Sequence, residues 1–284
     1  MQREHSEQEP KIETPEIVAS LLEKLPALGK DIIASSLDLS IPENQRFFEQ
    51  PDAVEEHSPK WHQWGIVSHS KMFGKMYQEQ IPKYLEQFGA AEFVDQTLSE
   101  DIDGRSRREL ISIGGALHDL GKFSRRKIRK EKDGTTSYTF KEHEYESGKL
   151  IRSEAVSQIL KTEYGLSDAQ VEYVARCAEL HFELGSVRAE AFHSPLGLTE
   201  EYAHSQMYRD RIAKIKEQFS GFETEIGVLF LADTLSKTEF LQVEGAEEII
   251  KQKGLNPDLM ITVKQLPTTT LMVETYFKVL EELQ

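Results

Sequence analysis

A histidine and an aspartate stand side by side near the end of the apolar stretch LISIGGALHDLGKF, residues 110–123. The apolar side chains before them repeat with the 3.6-residue period of a helix face that packs on a core. The pattern predicts a buried helix that ends at His118 and Asp119, with Gly121 as its C-terminal break. An imidazole beside a carboxylate at the end of a buried helix offers two ligands to a divalent metal.

Four further residues of metal-binding type occur elsewhere in the chain. They are His69 in IVSHSKMFGKMY, His143 in KEHEYESGKLI, His181 in RCAELHFELG and Asp233 in VLFLADTLSKTEF. Asp233 is the clearest of them, because an acidic side chain inside an apolar helix is costly to bury without a metal or a cation beside it. Four imidazoles and two carboxylates suit two divalent metals that share a bridging ligand. The imidazoles favour Fe, Zn, Ni or Co, and the carboxylates add affinity for Mn and Mg.

The order of these residues resembles that of the HD superfamily of metal-dependent phosphohydrolases. The similarity rests on H-D-x-G-K after an apolar helix, here residues 118–122, with an upstream histidine and a downstream aspartate. It covers residues 61–240 and implies an all-α HD-domain helical bundle. It also implies that one metal is held by His69, His118, Asp119 and Asp233, and that Asp119 bridges to a second metal held by His143 and His181.

The resemblance implies a reaction as well. Two divalent metals would supply an ionised water that attacks phosphorus, so Asp119 is expected to be catalytic. Lys122, which matches the lysine of H-D-x-G-K, is expected to be a catalytic group and a phosphate contact. The expected substrate is a small phosphorylated metabolite, with a nucleotide as the first candidate.

Other functions fit the same residues. An HD-type di-iron oxygenase can use this ligand order, and a stand-alone HD nuclease or a non-catalytic binding domain are further alternatives. The sequence has no Gly-Tyr-Pro after a His-His pair, which disfavours a cyclic-di-GMP phosphodiesterase of the HD-GYP type. A lone histidine on a helix is more often a satisfied core or surface residue than a ligand, and that alternative is strongest for His143.

A basic run follows the His-Asp pair. From Lys122 to Lys132, seven Lys and Arg residues stand against one acid, Glu131. Such a run is usually a solvated face. The functional alternative is a local positive patch that attracts a phosphorylated substrate, in which Lys122, Arg125 and Arg126 bind that substrate.

Composition limits the class of protein. Hydrophobic residues make up 38% of the 284 residues, enough for a sizeable core, and the net charge of −15 argues against a general nucleic-acid surface. The sequence has no run of 18 apolar residues and no apolar leader, so we expect no membrane span and a cytoplasmic protein. The single cysteine, Cys177, is expected to be a core residue. A homo-oligomer remains open.

Helices must position these residues, and no βαβ alternation occurs, so the expected class is all-α. We expect a disordered arm at 1–14, an N-terminal helical extension at 15–58, the HD domain at 59–244 and a C-terminal helical extension at 245–284. Pro26 and Gly29 are expected to break the first helix in two. The capping-box pattern from Ser167 to Gln170 marks the start of the helix that carries His181.

The remaining segments are expected as follows. The segment 40–60 is a loop, and a long helix begins near Pro59 and carries His69. The segment 123–138 is a loop or a small β-hairpin beside the site, and helices cover 141–164 and 200–219. His62 is expected on the helix face of His69 as an outer contact, and His57 is expected in a loop or at the surface.

Overall fold

The computed structural model describes residues 12–132, 134–240 and 245–284. In these residues the protein is a set of packed helices with two small antiparallel hairpins, which confirms the all-α prediction. The predicted disordered arm falls outside the described residues except for its last three positions, and Thr14 already begins a helix. None of the described helices is both long enough and apolar enough to cross a membrane.

The elements fall into two halves of the chain. The first half contains α1 (Thr14–Ser36), α2 (Pro42–Glu49), a 3-10 turn (Val54–Glu56), α3 (Ile66–Glu79), α4 (Ile81–Phe88), α5 (Ala91–Leu98), β1 (Asp101–Ile102), β2 (Arg105–Ser106), α6 (Arg107–Leu117), α7 (Lys122–Arg125), β3 (Lys127–Lys130) and β4 (Thr136–Thr139). The second half contains α8 (His143–Arg152), α9 (Glu154–Gln158), a π-helical turn (Ile159–Glu163), α10 (Asp168–Leu180), α11 (Glu183–His193), α12 (Glu200–His204), α13 (Gln206–Gln218), α14 (Glu223–Ser236), α15 (Ala246–Gln252) and α16 (Leu259–Glu282). In the larger hairpin, Lys127 of β3 pairs with Thr139 of β4.

Helix α14 runs through the core. Every residue from Thr224 to Ser236 is buried, and the helix packs against α3, α10, α11 and α16. Helix α6 packs against α1, α3 and α10. Because α3 and α10 each contact both α6 and α14, side chains from four different helices can meet at one point. The apolar faces of α1 and α16 bury residues in this same core.

Two glycines allow close packing at that meeting point. A Cβ at Gly115 of α6 would lie 2.1 Å from the ring of Phe73 in α3. A Cβ at Gly121 would lie 2.1 Å from the backbone oxygen of His143 at the start of α8. The φ of Gly121 is −64°, a helical value, and α6 already ends at Leu117, so this glycine serves a close approach and not the helix break that the sequence predicted.

Two predictions in the first quarter of the chain are wrong. Helix α1 is continuous through Pro26, because its buried face runs from Ile17 to Ile33 on both sides of the proline and tertiary packing outweighs propensity. Helix α3 begins at Ile66 and not near Pro59. Its first turn is fixed by Asp52, whose carboxylate accepts hydrogen bonds from the backbone N of Ser68 at 2.9 Å and from its hydroxyl at 2.6 Å. Nothing in the local sequence of α3 signals a partner 16 residues away.

Other boundaries differ in smaller ways. The predicted loop at 40–60 contains α2 and the 3-10 turn, and the predicted helix at 141–164 divides into α8, α9 and the π-helical turn. The predicted helix at 200–219 divides at Ser205, whose hydroxyl accepts a hydrogen bond from the backbone N of Tyr208 and so caps α13. Helix α11 was not predicted. The hairpin expected at 123–138 and the capping box at Ser167 are confirmed.

Candidate metal centre

The six side chains named as metal ligands in the sequence lie together in one cluster. Five of them are buried, and His143 is partly buried. Two overlapping groups of these residues could each hold a metal ion, and Asp119 belongs to both. The six are His69, His118, Asp119, His143, His181 and Asp233.

Asp119 presents its two carboxylate oxygens to two different pairs of histidines. Its Oδ2 lies 3.6 Å from Nε2 of His69 and 3.4 Å from Nε2 of His118. Its Oδ1 lies 3.2 Å from Nε2 of His143 and 3.9 Å from Nε2 of His181. This is the arrangement of a carboxylate that can bridge two cations.

Asp233 completes the first of the two groups. Its Oδ1 lies 3.0 Å from Nε2 of His69 and 3.9 Å from Nε2 of His118. Its other oxygen, Oδ2, lies 3.1 Å from Nζ of Lys237, one turn further along α14. The first group therefore offers two imidazoles and two carboxylates, and the second offers two imidazoles and the other oxygen of Asp119.

Three histidines share one hydrogen-bonding pattern. In each, Nδ1 lies close to the backbone oxygen of the residue three positions earlier, at 2.7 Å for His118, 2.9 Å for His143 and 2.7 Å for His181. A carbonyl oxygen only accepts, so Nδ1–H must be the donor. In the neutral ring Nε2 then carries a lone pair, and in all three rings Nε2 is the atom that faces Asp119. Outer hydrogen bonds of this kind orient metal-binding imidazoles.

The fourth histidine, His69, contacts a hydroxyl through Nδ1 and a carboxylate through Nε2. Its Nδ1 lies 3.3 Å from Oγ of Ser236, and that hydroxyl donates to the backbone oxygen of Asp233 at 2.7 Å. The shorter contact uses the single hydroxyl hydrogen, so Oγ accepts from Nδ1–H of His69. Nε2 of His69 lies 3.0 Å from Oδ1 of Asp233, an oxygen that only accepts, so a proton or a metal ion must lie between these two atoms.

The Nε2 atoms of all four imidazoles thus face carboxylate oxygens at the centre of the protein. Lone pairs directed at anionic oxygens repel each other unless a cation lies between them. Among the described residues, Nε2 of His118 and Oδ1 of Asp119 are buried and have no hydrogen-bond partner. Buried polar atoms without partners are rare in folded proteins, and a bound ion explains them. The donor set therefore fits divalent transition metals.

Burial and neighbouring charges set the protonation states that such a site needs. Burial lowers the pKa of His118 to about 3 and also lowers that of His181, which keeps both rings neutral near pH 7. Burial alone would raise the pKa of Asp119, but the positive charge of Lys122 holds it well below the ordinary value. In the same way Lys237 overcomes burial and holds the pKa of Asp233 low. Metal ligands must be neutral imidazoles and ionised carboxylates, and His118, His181, Asp119 and Asp233 meet that requirement. His143 is the exception, because the carboxylates of Asp119 and Glu144 outweigh burial and raise its pKa.

The two lysines offer a competing explanation of the cluster. Nζ of Lys122 lies 2.7 Å from Oδ2 of Asp119, and Nζ of Lys237 lies 3.1 Å from Oδ2 of Asp233. Two ammonium groups balance two carboxylates, so charge balance alone does not call for a metal. The imidazoles decide between the explanations, because neither lysine satisfies the unpaired Nε2 of His118.

Local sequence explains why two of the ligands occupy equivalent positions. Helices α6 and α10 both start with a capping box, formed by Ser106 in α6 and by Ser167 in α10. Both helices end directly before a histidine, His118 or His181. Helices α6 and α10 pack against each other, and each begins at a fixed capping box. The histidines that follow their last residues therefore lie close together.

The segment between α2 and α3 contributes residues that the sequence did not reveal. We call residues 50–65 the strap. His57 was predicted in a loop or at the surface; it lies in a loop but is buried, so the surface alternative is wrong. Its Nδ1 donates to the backbone oxygen of Trp64 at 2.9 Å, and its Nε2 lies 2.9 Å from Nζ of Lys122. The ring of His62 lies 4.5 Å from that of His69 between centroids, so the predicted outer contact exists although His62 precedes α3.

The basic run has a different setting from the one proposed in the sequence. Arg126 is buried, donates to the backbone oxygen of Glu43 at 2.7 Å, pairs with Glu56 of the strap and lies 3.6 Å from the ring centroid of Tyr138. Arg125 pairs with the exposed carboxylate of Glu142. Neither guanidinium lines the cavity described next. Their predicted contact with substrate therefore has no geometric support here, whereas Lys122 does line the cavity.

A cavity of about 760 Å³ opens beside the cluster. Its wall includes Asp119, Asp233, His143 and His181, together with the cations Lys122, Lys237 and Arg188. Two exposed aromatic residues, Trp61 of the strap and Phe192 of α11, also line it. A site of this size admits a small organic molecule, and the predicted ligands form part of its surface. Sequence reasoning missed Arg188 and Phe192 because it did not predict α11.

The chain was also compared with known proteins. No protein-family model matches it, and no match was found among curated proteins. The buried cluster of histidines and aspartates is compatible with an HD-type site, and this compatibility rests on geometry alone.

Proposed function

We propose that the protein is a metal-dependent phosphohydrolase of the HD type that acts on a small phosphorylated metabolite. The observation that carries the proposal is the position of Asp119, whose two oxygens face two separate pairs of imidazoles. Divalent metals bound there would supply Lewis acidity and a water that ionises near neutral pH. We assign His69, His118, Asp119 and Asp233 to one metal, and His143 and His181, with Asp119, to the other.

The chain's own residues prepare the site for an anionic substrate. Lys122 holds Oδ2 of Asp119 and is itself held by His57 of the strap, so its ammonium group stays at the cavity wall. Lys237 pairs with Oδ2 of Asp233 in a similar way, and its ammonium group also lies at the cavity wall. An ammonium group has three donors, and each lysine retains hydrogen-bonding capacity for a phosphoryl oxygen. Positioned cations of this kind stabilise the charge that develops during phosphoryl transfer.

A nucleotide is the substrate class that the cavity favours. Trp61 and Phe192 line the cavity, yet 44% of the surface of Trp61 and 47% of that of Phe192 are exposed. Aromatic faces at the mouth of a cavity can stack on a planar ring. A molecule with a phosphoryl group at the lysines and a ring at this mouth would use both features.

The proposal is tested by assaying the metal-loaded protein against nucleoside mono-, di- and triphosphates and simple phosphomonoesters. We expect phosphate release from at least one of them, and no release by Asp119→Ala. Asp210→Ala, which removes an exposed carboxylate on α13, is the matched control and should behave like the parent. Oxygen consumption is measured in parallel. Metal-dependent oxygen consumption without phosphate release from any ester would replace the hydrolase by the di-iron oxygenase that the same ligand order allows.

A further inference from the structure

Arg188, a partly buried cation in the cavity wall, has no ion-pair partner among the described residues. Arg188 of α11 is partly buried, and its Nε is buried without a hydrogen bond. Within the described part of the chain its guanidinium forms no ion pair, and it lies over the ring of Phe230, 5.9 Å from the centroid. A guanidinium has five donors, and removing them from water without acceptors is costly.

The neighbouring charges do not supply the missing acceptor. Asp233 is the carboxylate whose charge Arg188 senses most, but both of its oxygens already face Lys237 or His69. Of the other acids in the cavity wall, Glu142 pairs with Arg125. Glu144 lies 3.1 Å from Nδ1 of His143, and the oxygens of Asp119 face Lys122 and the histidines. Arg188 therefore lacks an anionic partner. It lies beside the end of the metal-ligand cluster that contains Asp233.

We propose that Arg188 is the phosphoryl-binding residue of this cavity. The inference rests on the proposed function and makes it more specific. Arginine is suited to the task because its planar fork can donate two parallel hydrogen bonds to a phosphate. In the free protein the guanidinium stays unpaired, and the substrate's phosphoryl group supplies the missing anionic partner.

The position of Arg188 also indicates the shape of the substrate. Phe192 follows it by four residues on α11, so the two side chains lie on the same face of the helix, about 6 Å apart at Cβ. Both line the cavity. A phosphoryl group at Arg188 thus places the rest of the molecule beside an exposed aromatic ring one helical turn away. A phosphate ester with a planar ring, such as a nucleoside monophosphate, fits both contacts.

The test is isothermal titration calorimetry on the metal-loaded full chain, with inorganic phosphate as the first probe. Arg188→Gln should weaken phosphate binding by about tenfold or more, with metal content unchanged. Arg188→Lys keeps the charge and loses the fork, so its affinity for phosphate should lie between those of the parent and Arg188→Gln. Arg209→Gln, which removes a guanidinium paired with Glu282 on another surface, is the matched control and should bind phosphate like the parent. Equal affinity in Arg188→Gln and the parent would overturn the proposal.

Two further measurements separate the possible outcomes. Without phosphate, Arg188→Gln should melt no lower than the parent, because an unpaired cation does not stabilise the fold. A lower melting temperature or a failure to fold would show a structural role and count against the proposal. Phe192→Ala should leave inorganic phosphate binding unchanged and weaken binding of adenosine monophosphate. Loss of phosphate binding in Arg188→Gln without any hydrolysis by the parent would retain this inference and reject the hydrolase.

Discussion

The side chains of His69 and Asp233 meet at 3.0 Å, from Nε2 to Oδ1, although 164 residues separate them in the chain. The contact exists because α3 and α14 pack against each other through the core. Its two partners are therefore brought together only by the complete fold. Loss of packing between these helices would remove two of the proposed ligands at once.

The two histidine pairs should be separable by mutation. We expect His143→Ala or His181→Ala to lower metal content from about two ions per chain to about one, because the first group keeps all of its ligands. His69→Ala should lower it as well and should also abolish turnover. Elemental analysis of the purified variants provides the measurement. His204→Ala, at an exposed helix end, serves as the control, and unchanged metal content in both His143→Ala and His181→Ala would argue for a single metal.

A single methyl group at position 121 should disturb the second pair of histidines, His143 and His181. Gly121→Ala would place Cβ 2.1 Å from the backbone oxygen of His143, so the start of α8 must move. We expect a loss of about 2 kcal/mol of stability and lower metal content. Gly74→Ala is the matched control, because nothing lies within 4 Å of a Cβ there. It should be neutral or stabilising, as alanine is favoured over glycine inside a helix. Equal stability and metal content in the two variants would contradict the role given to Gly121.

The two adjacent arginines of the basic run should differ sharply. Arg126→Gln removes a buried cation from Glu56 and should cost about 3 kcal/mol, the lower end for a buried pair, since Arg46 remains at the other oxygen of Glu56. Arg125→Gln breaks an exposed pair with Glu142 and should cost less than about 1 kcal/mol. Urea unfolding measures both. A change in KM with Arg125→Gln, at unchanged stability, would restore the substrate contact proposed from the sequence.

The metal-free protein should lose stability as the pH falls below about 6.5, the ordinary pKa of histidine. Burial lowers the pKa of His118 to about 3 and lowers those of His57, His62 and His181 as well. Between the folded and unfolded values the unfolded chain binds more protons, so stability rises with pH there and falls as pH drops. Between its folded and unfolded pKa values, each such histidine changes the free energy of unfolding by about 1.4 kcal/mol per pH unit.

One histidine opposes this trend. Burial alone would lower the pKa of His143, but the carboxylates of Asp119 and Glu144 raise it, so its contribution is lost as the pH rises. The four histidines with lowered pKa values outweigh the one histidine with a raised pKa, so stability still falls as the pH drops. Urea unfolding of metal-free protein at pH 7.5, 6.5 and 5.5 should show the decline, with a shallower slope in His118→Asn. A flat profile would mean that the buried rings already carry protons.

Much of the site could be predicted from the sequence, because its ligands stand in apolar helical surroundings. The end of α6 at His118 follows from hydrophobic periodicity, and the start of α10 follows from the capping box at Ser167. Asp233 could be singled out because an acid in an apolar helix needs a partner. In each case the local sequence carries the signal.

The strap could not be predicted, because its structure depends on distant partners. His57 lies among polar residues that suggest a surface, yet it is buried by contacts with Lys122 and with the backbone of Trp64. Arg126 reads as part of a solvated basic run, and only the fold brings Glu56 to it. Arg188 was missed for a similar reason, since the absence of a partner is visible only in three dimensions.

The central claim, that the cluster holds two metals bridged by Asp119, is tested most directly by anomalous diffraction from crystals of the metal-loaded protein. Data collected on both sides of the metal's absorption edge should show two peaks flanking the carboxylate of Asp119. One should lie among His69, His118 and Asp233, and the other between His143 and His181. A cluster without anomalous signal, in which Lys122 and Lys237 remain the counter-ions of the two carboxylates, would contradict the account.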